Sequence, residues 1–239
     1  MQYTYTFKRV EKKYLINEKT KNALLDLIGV HLYPDEYGKS TVCSIYLDTK
    51  SHLLIRRSMD ARTYKEKLRL RTYGVPTLDS NVFLEIKKKF KGVVYKRRVS
   101  LKLKDAKEYI QTLKKPFDSQ IMREIDYAMH LYDHPKESML IAYEREAYYI
   151  KNMPNLRLTF DSGVRYRKDG LLLENGNHGK QILPDGLYIL EVKTDGAMPI
   201  WLSTALSSLG IFPTKFSKYA KSYMDSKGED INVSYIQFN

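Results

Sequence analysis

Apolar and charged residues alternate along several short stretches of this chain. The clearest is Asn81 to Phe90, NVFLEIKKKF. As a strand, it puts Leu84 and Ile86 on one face and Phe83, Glu85, Lys87 and Lys89 on the other. The same two-residue period recurs in Leu68-Arg69-Leu70-Arg71, in Leu156 to Asp161 and in Leu190-Glu191-Val192-Lys193. Each predicts a strand with one buried face. Whether the charged faces look out at water or inward at each other is the question the pattern poses.

In chain order, the pattern predicts a strand over 7–16, with Glu11 and Lys13 on one face. A helix capped by Asn17 follows, ending near Gly29. Strands are expected over 40–47, 64–71, 81–90 and 93–103, with a short segment at 53–57 and a tight connection at Lys91-Gly92. Helices follow at 105–113 and 119–132. A strand at 139–150 and two separate strands at 156–161 and 164–168 come next, then a loop at 174–180. A strand at 188–194 and helices at 198–209 and 216–224 complete the reading. About eight mostly antiparallel strands fit either a closed barrel or two packed sheets. With 239 residues, one domain over 1–239 is the natural expectation.

Charge sharpens the picture. The chain has 41 Lys and Arg against 28 Asp and Glu, a net charge of +13. That predicts a polyanionic partner: phosphate compounds, nucleic acid or an anionic membrane. The cations lie within the strand alternations: Arg9, Lys13, Arg69, Arg71, Lys87, Lys89, Lys96, Arg98, Arg145, Arg157 and Lys193. Either these are solvated faces of ordinary strands, or they converge on a bound polyanion. In the second case the carboxylates Glu11, Glu85 and Glu191 make sense as ligands for a hard cation, Mg²⁺ or Mn²⁺, that bridges phosphates.

Other chemistry is limited. Cys43 is the only cysteine, so an intramolecular disulfide and zinc sites built on cysteine pairs are excluded. His130 and His134 are four apart, but the helix dipole alone favours histidines at a helix C-terminus, and Pro135 follows at once. The segment 174–180 is not a phosphate loop, because Glu174 stands where its first glycine should be and Gln181 follows Lys180. The first residues, MQYTYTFKRVEKKY, lack the apolar core of a secretory signal. No stretch approaches the roughly 18 apolar residues of a membrane span. The expected setting is the cytoplasm.

Nine segments together carry a family resemblance. In order they are RVEKKY (9–14), SIYLDT (44–49), KLRLRTYG (67–74), FLEIKKK (83–89), KRR (96–98), YEREAY (143–148), LRLTFD (156–161), LEVK (190–193) and KFSKY (215–219). With them the chain resembles the vacuolar transporter chaperone (VTC) domain, the polyphosphate polymerase branch of the triphosphate tunnel metalloenzymes. That resemblance implies an α+β fold, a closed antiparallel eight-stranded barrel forming a tunnel, with flanking helices. It implies transfer of the terminal phosphoryl group of ATP to a polyphosphate chain, with Mn²⁺ or Mg²⁺ as cofactor.

The residue roles the resemblance implies are specific. Arg69, Arg71, Lys87, Arg145 and Arg157 would act on the reacting phosphates. Lys13, Lys89, Lys96, Arg98 and Lys193 would bind ATP and polyphosphate oxygens, and Lys215 and Lys218 would guard one mouth. Glu191 would coordinate the metal, assisted by Glu85 and Glu11. Where the wider superfamily opens with two alternate glutamates and a lysine, this chain has Arg9-x-Glu11-x-Lys13. That favours the polymerase branch over hydrolysis. The alternatives are a triphosphatase or polyphosphatase of the same fold, and a polyphosphate-binding module without catalysis. A nucleic-acid partner and a membrane-spanning segment are not expected.

Overall fold

The structure is a computed structural model and describes residues 10–61, 63–91 and 93–228. Along the chain run β1 (Val10–Asn17), α1 (Glu18–Ile28), a 3-10 turn (Gly29–His31), β2 (Leu32–Asp48), α2 (Leu53–Asp60), β3 (Tyr64–Tyr73), β4 (Asn81–Phe90) and β5 (Val93–Lys102). Then follow α3 (Leu103–Thr112), α4 (Gln120–Leu131), β6 (Lys136–Ile150), β7 (Met153–Arg167), a second 3-10 turn (Leu173–Asn175), β8 (Lys180–Gln181), β9 (Leu187–Thr194), α5 (Ile200–Ser208) and α6 (Lys218–Asp225).

The strands hydrogen-bond in the order β1-β9-β7-β6-β2-β3-β4-β5, with β8 on β7. This is an open path ending at β1 and β5. The expected closed eight-stranded barrel is therefore corrected to an open, nine-stranded antiparallel sheet with helices. Alternation fixes which side chains share a face; closure depends on the stagger between first and last strands, which alternation does not encode. Each end of the path is protected in its own way. The Lys13 carbonyl on β1 accepts the Thr214 amide at 2.7 Å. β5 carries Lys96, Arg97, Arg98 and Lys102, charges of the kind that discourage edge-to-edge pairing.

Two compact units divide the described residues. The first holds residues up to 40, 143–164 and those from 181 on. The second holds 41–142 and 165–180.

In the first unit, β9 pairs antiparallel with both β1 and β7. Tyr14, Ile16, Leu158, Phe160, Leu190 and Val192 form its apolar face, buried under Leu24 and Ile28 of α1 and Leu202 and Leu206 of α5. Helix α1 starts where the Asn17 side chain accepts the Thr20 amide at 2.8 Å, as the sequence predicts. Leu24 and Ile28, four apart, lie on one helical face. Burying each such aliphatic side chain contributes about 1.5–3 kcal/mol.

In the second unit, β2, β3, β4 and β5 pair antiparallel in sequence order. Leu68, Leu70, Leu84, Ile86, Val99 and Leu101 make its apolar face, packed with Ala106, Tyr109 and Ile110 of α3 and Met122, Ile125 and Met129 of α4. Both units thus commit one strand face to a core and leave the other for charged residues.

Three further expectations change. The segment 53–57 is the start of a full helix, α2. Its first amides are capped by side chains upstream: Asp48 accepts from Leu54 and Ile55 at 2.9 and 3.0 Å, and Thr49 Oγ1 accepts from Leu53 at 3.0 Å. The strand expected over 40–47 starts at Leu32, running through Pro34 and Gly38, residues that read as strand breakers. The two strands expected at 156–161 and 164–168 are one, β7, in which Gly163 takes φ +56°. Glycine reaches that left-handed conformation at no steric cost. Of the expected Lys91-Gly92 connection, Lys91 takes φ +45° and Gly92 lies outside the described residues.

Candidate functional site

In the second unit, strand register turns alternation into a lattice. Arg69 stands opposite Tyr46 on β2 and Glu85 on β4, and Glu85 opposite Arg98 on β5. The next row is Ser44, Arg71, Phe83 and Ser100, and on the other side Lys67, Lys87 and Lys96 line up. One face therefore carries Lys67, Arg69, Arg71, Lys87, Lys96 and Arg98 around the single carboxylate Glu85. Glu85 is fully buried.

The guanidinium groups are pinned. Arg69 reaches Glu85 Oε2 through both Nε and Nη2 at 2.7 Å, and its Nη1 donates to the Tyr46 hydroxyl at 3.3 Å. Arg71 Nε donates to Ser44 Oγ at 3.0 Å and lies 4.0 Å from Glu85. Lys96 Nζ is 2.6 Å from Glu85 Oε1. Arg98 covers the Phe83 ring at 4.5 Å. Burial would raise the Glu85 carboxyl, but Arg69, Arg71 and Lys96 hold it well below the usual carboxylate range. Burial would likewise raise the Tyr46 phenol, yet Arg69, Lys67 and Arg71 bring it down to about 7. The Lys96 ammonium is lowered by burial, pulled back by Glu85, and pushed down again by Arg71 and Arg69, to about 7. The Glu85 and Tyr46 shifts report crowded positive charge, and the Lys96 shift reports burial first and that crowding second. Lys89 sits on the same strand face at its exposed end.

The first unit carries a different constellation. Glu11, Lys193 and Arg157 form one cross-strand row; Lys13, Glu191 and Thr159 the next; Leu15, Ile189 and Asp161 the third. Glu191 gathers four cations: Lys13 at 3.2 Å, Lys193 at 3.0 Å, and Arg145 and Lys218 at 3.3 Å each. Asp161 takes two hydrogen bonds from Arg145, at 2.6 and 2.7 Å, and one from Lys218 at 2.5 Å. Both carboxylates are buried. Burial opposes their ionisation, but Lys218 and Arg145 at Asp161, and Lys13, Lys193 and Lys218 at Glu191, lower both carboxyls. Burial would lower Lys13 and Lys218, yet Glu191 and Glu11 raise the first, and Asp161 and Glu191 the second. The Lys218 ammonium also lies 4.5 Å from the Tyr143 ring.

The expected residues thus fall into three groups. Lys13, Arg145, Lys193, Lys218, Glu11 and Glu191 are brought together in the first unit. Arg69, Arg71, Lys87, Lys96, Arg98 and Glu85 are brought together in the second. Arg157 instead pairs with Asp35, and Lys215 is exposed. Lys218, expected at an opening, is buried against two carboxylates. Arg9 lies outside the described residues. Sequence reasoning passed over Asp161, Thr159, Ser44, Tyr46 and Tyr143. Asp161 was within reach, since its odd number puts it on the same face of β7 as Arg157 and Thr159.

Among the described residues no group of three His, Cys, Asp or Glu is placed to hold a metal ion by itself. A magnesium-type cation needs only one or two protein carboxylates, taking its other ligands from phosphates and water. Glu191 and Glu11 fit that demand: both lie within 3.4 Å of the Lys13 ammonium. Beside Glu191, the fully buried Thr159 Oγ1 has no hydrogen-bond partner among the described residues. Glu85 is likewise ringed by cations, Arg69, Arg71 and Lys96. His130 and His134 meet edge to face at 5.6 Å, and His130 Nδ1 lies 2.9 Å from the Asp126 carbonyl.

The family model of the VTC domain matches residues 8–226. Among curated proteins no sequence matches significantly. Solved structures share the fold at low identity. A candidate adenylate cyclase from Bacillus halodurans superposes with a TM-score of 0.53 at 13% identity, covering 88% of this chain and 95% of that one. A candidate adenylyl cyclase from Hippeastrum, described as having a dominant triphosphatase activity, gives 0.54 at 16% identity, covering 94% and 98%. No helix among the described residues is long and apolar enough to cross a membrane.

Proposed function

The chain belongs to the VTC-domain family, and from that premise we propose that it is an ATP-dependent polyphosphate polymerase. One observation carries the reading. The charged face of β3, β4 and β5 sets six cations around one carboxylate. Two like charges 4 Å apart repel by about 4 kcal/mol at an effective dielectric near 20, so such a face is relieved by a polyanion. Phosphate oxygens suit it, because Arg69 and Arg71 can offer paired donors. Tyr46, Ser44 and Glu85 already hold those guanidiniums in place, so little ordering remains when substrate binds.

In the first unit, Glu191 and Glu11, with the Thr159 hydroxyl beside them, would hold Mn²⁺ or Mg²⁺, which when bound neutralises phosphate charge. Lys13 and Lys193 lie on that carboxylate and would take up phosphate oxygens in exchange for it. Asp161 fixes Arg145 and Lys218. The reaction needs no side-chain nucleophile: a terminal oxygen of polyphosphate is already ionised. It bonds to the γ-phosphorus of ATP as the bond from that phosphorus to the β–γ bridging oxygen breaks, and ADP leaves with the electron pair. The protein's part is alignment and charge neutralisation.

A second reading, triphosphate hydrolysis, is favoured by Tyr46. Its phenol, brought down to about 7 beside Arg69, could take a proton from an attacking water. ATP labelled in its γ-phosphate separates the readings. Label in chains longer than triphosphate supports the polymerase, label only in orthophosphate supports the hydrolase, and unconverted ATP with retained polyphosphate binding supports a binding module.

A further inference from the structure

The charged face of the second unit is not basic to its end. Along β3 the side chains on that face are Lys67, Arg69, Arg71 and then Tyr73; along β4 they are Lys87, Glu85 and then Phe83. Phe83 stands opposite Arg71, and Tyr73 follows Arg71 one row further on. The core of this unit uses the other face of β4, through Val82, Leu84 and Ile86, so core packing accounts for neither ring. The Tyr73 and Phe83 rings meet edge to face, with centroids 5.9 Å apart. Arg98 of β5 lies 4.5 Å from the Phe83 centroid. Phe83 is thus engaged by both neighbours, while Tyr73, at the end of its strand, keeps 44% of its surface exposed. Asn81 lies exposed on the same face of β4.

The order of these groups along the face selects the ligand. Arginines suit phosphate oxygens. A ring does not, and a linear polyphosphate has nothing flat or apolar to lay on one. A ligand that uses the whole face carries phosphates at one end and a planar π-system at the other. One row is two residues, about 7 Å along a strand, so Tyr73 stands one such step past Arg71 and two past Arg69. A ribose bridges a gap of that kind between a base and its α-phosphate. Bases of any sequence stack on tyrosine rings, because each has a π-face. The Asn81 amide offers a donor and an acceptor together, as the edge of adenine does.

We propose that Tyr73, braced by Phe83, is the nucleobase subsite of this face and sets the direction in which a nucleoside triphosphate lies: base on Tyr73, α-phosphate beside Arg71, terminal phosphate toward Lys87 and Lys96. The inference rests on the phosphate-binding reading of the same face and adds the part of the substrate that polyphosphate lacks. It holds for polymerase and hydrolase alike.

The test is calorimetric titration of the full chain with two ligands in turn: the β,γ-imido analogue of ATP, which is not turned over, and tripolyphosphate, which has no base. The wild type should bind both. Tyr73→Leu removes the ring and keeps an apolar side chain at an exposed strand end. It should raise the Kd of the nucleotide at least about fivefold, the lower end of what one stacked base contributes, and leave that of tripolyphosphate where it was. Tyr73→Phe, which keeps the ring, should bind the nucleotide like wild type. Unchanged nucleotide affinity in Tyr73→Leu would overturn the inference, and so would equal weakening of both ligands, which means damage to the phosphate face rather than loss of a base contact. A wild-type chain that takes tripolyphosphate and refuses the nucleotide would overturn it too. In these three cases the phosphate-binding reading stands. Only a wild-type chain that binds neither ligand removes that reading, and the inference with it.

Discussion

Arg145 and Asp161 meet through two parallel hydrogen bonds, Nε to Oδ1 at 2.6 Å and Nη2 to Oδ2 at 2.7 Å. This fork-to-fork pair fixes the guanidinium plane. It also turns Nη2 toward Glu191, 3.3 Å away. The aspartate is fully buried, so it is the anchor on which the cations of the first unit are arranged.

Replacing Asp161 by Asn leaves Arg145 and Lys218 buried without their main counter-charge. Breaking such a buried pair costs about 3–5 kcal/mol. The melting temperature should fall by roughly 10 °C, measured by differential scanning fluorimetry. A fall of only a degree or so would mean that the pair contributes nothing net.

Acid should undo the same site. Asp161 and Glu191 have folded pKa values below their unfolded ones. Their stabilisation is complete above the ordinary carboxylate pKa, about 4, and is lost as pH falls below it toward the folded values. Lys218 is raised, so its contribution holds below the unfolded lysine pKa, about 10.4, and fades above it. Melting temperature against pH should drop on the acid limb below about pH 4, and Asp161→Asn should flatten that limb. Parallel acid limbs in the two proteins would exclude Asp161 as a source.

Thr159→Val is isosteric and removes a buried hydroxyl that lacks a partner among the described residues. Stability should hold or rise by about 1 kcal/mol, while the Mn²⁺ concentration needed for half-maximal activity rises. Unchanged metal dependence would leave the hydroxyl without a role in the site.

Tripolyphosphate should raise the melting temperature by binding only the folded state. Arg69→Ala/Arg71→Ala should remove most of that shift at equal ligand concentration. A full shift in the double variant would separate the β3–β4–β5 face from phosphate binding.

Much of this was written in the chain as periodicity. Strand 81–90 runs over the expected residues, because Leu84 and Ile86 alternate without interruption with Glu85 and Lys87. The partition of basic residues onto one face followed from parity alone and survives in the observed registers. What failed depended on distance in the fold or on single backbone conformations. The two strands read at 156–161 and 164–168 are one, because the left-handed φ of Gly163 lets β7 continue. Pro34 and Gly38 hid the first half of β2. Lys218 follows the last strand by more than twenty residues, and no local pattern shows that it returns to Asp161. Asp161 was overlooked because, in a basic face, an acid looks like an exception; buried, it is the group that holds the cations. Strand count left a closed barrel and two packed sheets open, and the closed barrel was expected from the family resemblance; neither carries the stagger on which closure depends.

The most direct test of the polymerase reading is incubation of the purified chain with ATP and Mn²⁺, running products on a gel stained for polyphosphate while ADP and free phosphate are assayed in parallel. The account predicts a ladder of long chains, with ADP formed in step with the phosphate incorporated, and loss of both in a folded Glu191→Gln variant. Free phosphate in step with ADP and no ladder, or a ladder undiminished in Glu191→Gln, would contradict it.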